Sequence, residues 1–237
     1  MALVKYASLF ATLLILAACG GGSRPQQEKP LPPVEESQAR QAAKPGPPRT
    51  EKPADWPVIA AYGDSLSAGF GAPPGQSYPD FLQEELDAAG YKYRVVNAGI
   101  SGDTTSGGLE RLGSVLDLKP KIAVLELGGN DGLRGLPLSS TRENLEKTIQ
   151  GLREAGVTVV LAGMTLPPNY GPDYIRQFES IYVDLAARYK LTRIPFLLEG
   201  VATNPKLMQA DGIHATSEGN RMVAKTVMRY LIPLLKP

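Results

Sequence analysis

Two periodicities alternate along the chain. Short apolar runs are separated by longer segments whose apolar residues recur every three or four positions. The short runs predict strands over 58–62, 93–97, 122–127, 157–161 and 194–198. Helices are predicted between them. The first carries Tyr78, Phe81, Leu82, Leu86 and Ala89 on one face and stops at Gly90; the second runs through Leu109, Leu112 and Leu116. Leu145, Ile149 and Leu152 mark a third, Phe178, Ile181 and Leu185 a fourth, and Val223, Val227 and Leu231 the last. Ser140 with Glu143 three residues later reads as a capping box opening the third helix.

Strands alternating with helices of this length imply βαβ units and a parallel sheet covered on both faces. With right-handed crossovers the expected fold is α/β, a three-layer α/β/α sandwich with a five-stranded parallel sheet. Such sheets build their sites outside the carboxyl ends of the strands. The loops there are Gly63-Asp64-Ser65, Gly99 to Thr104 and Gly128 to Asp131, all rich in glycine and small polar residues.

This pattern occupies residues 56–237; the first 55 read differently. Lys5 precedes an apolar stretch from Tyr6 through Leu16, about a dozen residues where a membrane-spanning helix needs roughly 20. Residues 1–18 therefore read as an export signal. It ends in Leu16-Ala17-Ala18-Cys19-Gly20, which resembles the bacterial lipobox, so Cys19 is the expected lipidation site. The alternative is an ordinary cleaved signal with an incidental cysteine. Two or three acyl chains would anchor the protein stably. Gly20 after the cysteine suggests an outer-membrane lipoprotein facing the periplasm. Residues 19–55 hold the lipidated Cys and a Pro-rich segment too poor in apolar residues to offset its ordering entropy. A disordered tether is expected there.

Composition narrows the chemistry by exclusion. A formal charge of +1 on 237 residues, with no block of like charges, leaves no electrostatic footprint for nucleic acid. One cysteine and one histidine exclude an internal disulfide and a Cys/His zinc cluster. No metal or cofactor is expected, and monomer is the default state.

Ser65 directly follows the first strand. A serine there can be a helix N-cap, and Ser67 in place of a second glycine breaks the Gly-x-Ser-x-Gly elbow of α/β-hydrolases. As a nucleophile Ser65 needs a base, and His214 is the chain's one histidine. Asp211, three residues upstream, is close enough on a turn to orient the imidazole through Nδ1, leaving Nε2 to take the serine proton. An oxyanion would need donors. The backbone N–H groups of Ser65 and Gly102 and the side-chain amide of Asn130 make a three-donor set after strands one, two and three. Gly102 and Asn130 also read singly as ordinary turn residues.

Together these residues resemble the four blocks of the SGNH, or GDSL, hydrolase family: Gly63-Asp64-Ser65-Leu66, Gly102 within 97–104, Gly128-Gly129-Asn130-Asp131, and Asp211-Gly212-Ile213-His214. The resemblance spans about 57–237 and is nearest the bacterial thioesterase I, lysophospholipase and arylesterase group, whose loop after strand four is similar to 166–171. It implies a flavodoxin-like sheet, a Ser65–His214–Asp211 triad and oxyanion donors from Ser65, Gly102 and Asn130. Acyl transfer to water through an acyl-serine intermediate is then expected, on small-molecule acyl esters or thioesters. Leu133, Leu136, Leu166, Pro167 and Tyr170 would line an acyl groove or simply cover the sheet edge. O-deacetylation of a polysaccharide or peptidoglycan is an alternative. A non-catalytic envelope binding protein is another, disfavoured by the intact set of four blocks.

Overall fold

The computed structural model describes residues 52–236. The export signal, Cys19 and nearly all of the tether read from the sequence lie outside the described residues. Five strands form one sheet: β1 (Val58–Gly63), β2 (Arg94–Gly99), β3 (Pro120–Glu126), β4 (Thr158–Ala162) and β5 (Thr192–Ile194). Their order is β2-β1-β3-β4-β5 and every pairing is parallel. β1 is buried along its whole length, and β3 is buried except at Lys121. A strand covered on both faces cannot alternate apolar with polar, which is why both read as continuous apolar runs.

Eight α-helices surround the sheet among the described residues: α1 (Ser65–Ala68), α2 (Tyr78–Ala88), α3 (Thr105–Glu110), α4 (Leu112–Leu116), α5 (Gly129–Leu133), α6 (Leu138–Glu154), α7 (Pro172–Tyr189) and α8 (Ser217–Leu231). α2 packs on α8, while α6 packs on α3, α4 and α7. The core they close includes Ile59, Tyr62, Leu82, Leu125, Leu145, Phe178, Leu185 and Val227. The α/β architecture expected from the pattern is the one observed.

Three local expectations differ. The predicted second helix is two short ones, broken at Arg111 (φ −98°, ψ 13°), whose side chain is drawn to the strand ends. The first turn of α6 starts at Leu138, and the N–H groups of Ser140 and Thr141 already donate to the Pro137 carbonyl. Ser140 is thus inside the helix and cannot cap it. The capping box belongs to α2, where Ser77 Oγ accepts from Asp80 N–H and Asp80 Oδ2 accepts from Ser77 N–H at 2.9 Å. The last strand runs over 192–194, not 194–198, because Pro195 has no N–H to continue the ladder.

Ser77→Ala removes a cap and is expected to cost about 1 kcal/mol in urea denaturation, whereas Ser140→Ala changes stability by less than about 0.5 kcal/mol. Equal costs would show that α6 uses Ser140 after all.

Candidate active site

The carboxyl end of the sheet assembles the site. Gly63, the last residue of β1, stands level with Gly99 on β2 and Glu126 on β3. Three chain segments therefore leave the sheet side by side. A Cβ on Gly63 would lie 2.2 Å from both Glu126 Oε2 and Ser67 Oγ, so the bare backbone is what lets these groups close in. Asp64 then caps α1, its Oδ1 accepting from the Leu66 N–H at 3.0 Å, and Ser65 becomes the first helical residue.

Ser65, His214 and Asp211 come together as one hydrogen-bonded chain. Ser65 Oγ is 2.8 Å from His214 Nε2, and His214 Nδ1 is 2.6 Å from Asp211 Oδ2. The other Asp211 oxygen accepts from the N–H groups of Ile213 and His214 at 2.9 and 3.0 Å. Partial burial raises the Asp211 pKa, but hydrogen bonds from the His214 backbone and ring and the Ile213 N–H outweigh it. The carboxyl is held below its usual range, so it stays an acceptor and fixes the Nδ1–H tautomer across neutral pH.

The loop carrying His214 is itself fastened. Gln209 N–H donates to the His214 carbonyl, and the Gln209 side chain donates to Ala215 O at 2.9 Å and to Phe70 O at 2.7 Å. The Phe70 ring lies 4.5 Å from the imidazole. Neither Gln209 nor Phe70 stood out in the sequence.

Asn130 is the second residue of α5, after a turn at Gly128 with φ +110°. Its side-chain nitrogen donates to Asp64 Oδ2 at 3.1 Å and to the Asp103 carbonyl at 2.9 Å. Both neighbours are acceptors, which fixes the amide orientation. Gly102 has φ +85°, and a Cβ there would meet only Arg134, at 3.8 Å. The left-handed backbone there is one that glycine adopts readily and a side chain would strain. Among the described residues, neither the Gly102 nor the Ser65 N–H is taken by another protein group.

The five candidate groove residues divide. Leu166 is buried and packs over Gly132. Leu133, Pro167 and Tyr170 are half-buried, with Tyr170 Oη donating to the Leu133 carbonyl at 2.7 Å; Leu136 is exposed.

Arg111, unremarked in the sequence, ties the segments together. Its guanidinium donates to Gly63 O and Ala98 O, each at 2.8 Å, and to Asp103 Oδ2 at 2.6 Å, and it lies over the Tyr62 ring. It thereby joins the ends of β1 and β2 to the loop whose carbonyl receives Asn130.

A family model described as GDSL-like lipase/acylhydrolase matches residues 61–222. The chain belongs to this family. It is accordingly an acyl ester hydrolase. The esterase TesA of Pseudomonas aeruginosa is 47% identical over 179 residues, covering 75% of this chain and 89% of that protein. Thioesterase 1/protease 1/lysophospholipase L1 of Escherichia coli is 38% identical over 179 residues, covering 75% and 85%. A solved structure, the crystal structure of TesA, superposes with TM-score 0.73 at 46% identity, covering 75% of this chain and 99% of that one.

Arg111→Met leaves Asp103 and two carbonyls without their donor. It is expected to cost about 2–4 kcal/mol in urea denaturation. A cost under about 0.5 kcal/mol would show that the strand ends hold without it.

Proposed function

We propose that Ser65 is the nucleophile, His214 the general base and acid, and Asp211 the residue that orients it. The observation carrying this reading is the unbroken bond chain from Ser65 Oγ through both imidazole nitrogens to Asp211. His214 Nε2 takes the Ser65 proton as Oγ attacks the acyl carbon. The carbonyl oxygen becomes an oxyanion that accepts from the Ser65 and Gly102 N–H groups. Asn130 supplies a third donor by turning one hydrogen from Asp64 or the Asp103 carbonyl toward the oxyanion. Collapse of the tetrahedral intermediate expels the alcohol or thiol, which receives the proton from His214. Water, deprotonated by the same nitrogen, then cleaves acyl-Ser65 and frees the acid.

For substrate, we favour medium-chain acyl esters and thioesters. Support comes from the rim of the site. Of the six exposed large apolar residues among those described, Phe70, Ile100, Leu136 and Ile213 lie in the loops at this end of the sheet. Phe70 and Ile213 flank His214, one by ring contact and one by sequence. An acyl chain leaving Ser65 would find apolar surface there, alongside Leu133, Pro167 and Tyr170; the buried Leu166 supports that wall from behind. The names of the relatives, an esterase and a thioesterase/lysophospholipase, support the same class.

The lipobox-like Leu16-Ala17-Ala18-Cys19 further leads us to place the enzyme in a bacterial envelope, anchored through acylated Cys19 and facing the periplasm, with the outer membrane favoured by Gly20.

On p-nitrophenyl esters from acetyl to palmitoyl, turnover is expected to peak at medium chains. Ser65→Ala should abolish it and Asn130→Ala lower kcat by about 10²–10³-fold. Activity confined to the acetyl ester would overturn the medium-chain reading, and turnover surviving Ser65→Ala would overturn the nucleophile. In cells, Cys19→Ser should move the protein from the membrane to the soluble fraction; unchanged fractionation would refute the anchor.

A further inference from the structure

Glu126 is a fully buried carboxyl at the end of β3 that the acyl-transfer steps do not use. Its Oε2 accepts from the Asp64 N–H at 3.2 Å, the Ser67 N–H at 3.2 Å and Ser67 Oγ at 2.8 Å. Those donors lie one residue before Ser65 and two after it, so one oxygen grips the nucleophile's loop on both sides. Ser67 Oγ is in turn 3.0 Å from Tyr78 Oη. The other oxygen, Oε1, is buried with no hydrogen-bond partner among the described residues.

A lone carboxylate oxygen buried in that way is costly, and a second buried carboxyl makes it costlier. Asp64 lies beside Glu126, nearly as deeply buried, with Oδ1 on the Leu66 N–H and Oδ2 on the Asn130 amide. Among the described residues no cation is paired with Glu126. Tyr78 on α2 and Tyr182 on α7 are neutral phenols, both pushed up by burial. Arg111 spends its donors on Asp103, Ala98 and Gly63, and His214 faces Ser65 and Asp211.

We propose that Glu126 is a positioning residue that works as the uncharged acid: Oε2 latches the Ser65 loop through three donors, Oε1 carries the proton, and the pair's single negative charge sits on Asp64, where it holds Asn130. This rests on Ser65 being the nucleophile. Burial first, and the Asp64 charge second, raise Glu126 well above the carboxylate range. Burial pushes Asp64 to about 6, against the pull of the Leu66 N–H. A carboxyl whose pKa is raised on folding favours the folded state below its ordinary pKa and loses that advantage as pH rises through the folded value. Glutamine matches the neutral acid in shape and presents the same acceptor to the three donors, but it cannot ionise.

The test compares wild type, Glu126→Gln, Glu126→Leu and Ser65→Ala on p-nitrophenyl butyrate, with thermal midpoints from pH 5 to pH 9. Glu126→Leu is expected to lower kcat by about 10²-fold at nearly unchanged KM, since the loop loses its latch while the substrate surface is intact. Glu126→Gln should recover most of that kcat, and its thermal midpoint should gain on wild type as pH rises. If Glu126→Leu does not fold, Ser67→Ala, which removes one donor of the latch, should show the same kcat-only loss. Glu126→Gln as impaired as Glu126→Leu would mean that the ionised carboxylate is the working form. Ser65-dependent turnover that neither Glu126→Leu nor Ser67→Ala reduces would overturn the latch alone. Turnover surviving Ser65→Ala would overturn the nucleophile and the latch with it.

Discussion

The register at the end of β1 is the constraint from which the site follows. Gly63 is level with Gly99 on one neighbour and with Glu126 on the other, and it offers no side chain to either. Glu126 can therefore close under the loop that carries Ser65, and Arg111 can reach the Gly63 and Ala98 carbonyls together. Slip the register by one residue and every side chain on that strand changes face. Two continuous apolar strands buried side by side make such a slip expensive, so the hydrophobic core sets the geometry of a polar site.

The polar site then depends on charge being rationed. Asp64, Glu126 and Asp103 crowd the end of the sheet, with Arg111 the cation bonded among them. Arg111 answers Asp103 directly. Asp64 has a backbone N–H and the Asn130 amide, and Glu126 has three donors on one oxygen and none on the other. This division leaves Asn130 fixed between two acceptors close to Ser65. To serve an oxyanion the amide gives up one of those two bonds and keeps the other, so it turns about a fixed anchor when negative charge develops beside it.

Much of this was legible in the sequence. Apolar periodicity located four of the five strands and most of the helices, touching the fifth strand only at Ile194, and the strand-end rule pointed to the three loops that the structure brings together. Ser65, His214 and Asp211 stood out because the chain has one histidine and a carboxylate three residues before it. The contacts that fasten the site were not legible. Arg111 reaches carbonyls 13 and 48 residues away, and Gln209 reaches Phe70 across 139. A side chain aimed at a distant backbone carbonyl leaves no periodicity and no motif. Glu126 lies within the predicted strand 122–127 and did not stand out there, because its partners appear only after β1 and β3 pair. The capping boxes show the opposite error: Ser140 and Glu143 carry the signature, yet Pro137 starts the helix first, while Ser77 works with Asp80, whose shorter side chain the signature does not name.

The central claim is that a single serine, activated by His214, carries the acyl group. Intact-mass and peptide analysis after treatment with p-nitrophenyl ethylphosphonate tests it most directly. One adduct on the peptide containing Ser65, lost in His214→Ala and in the denatured protein, is the result the account predicts. An adduct on another residue, or continued ester turnover by fully labelled protein, would contradict it.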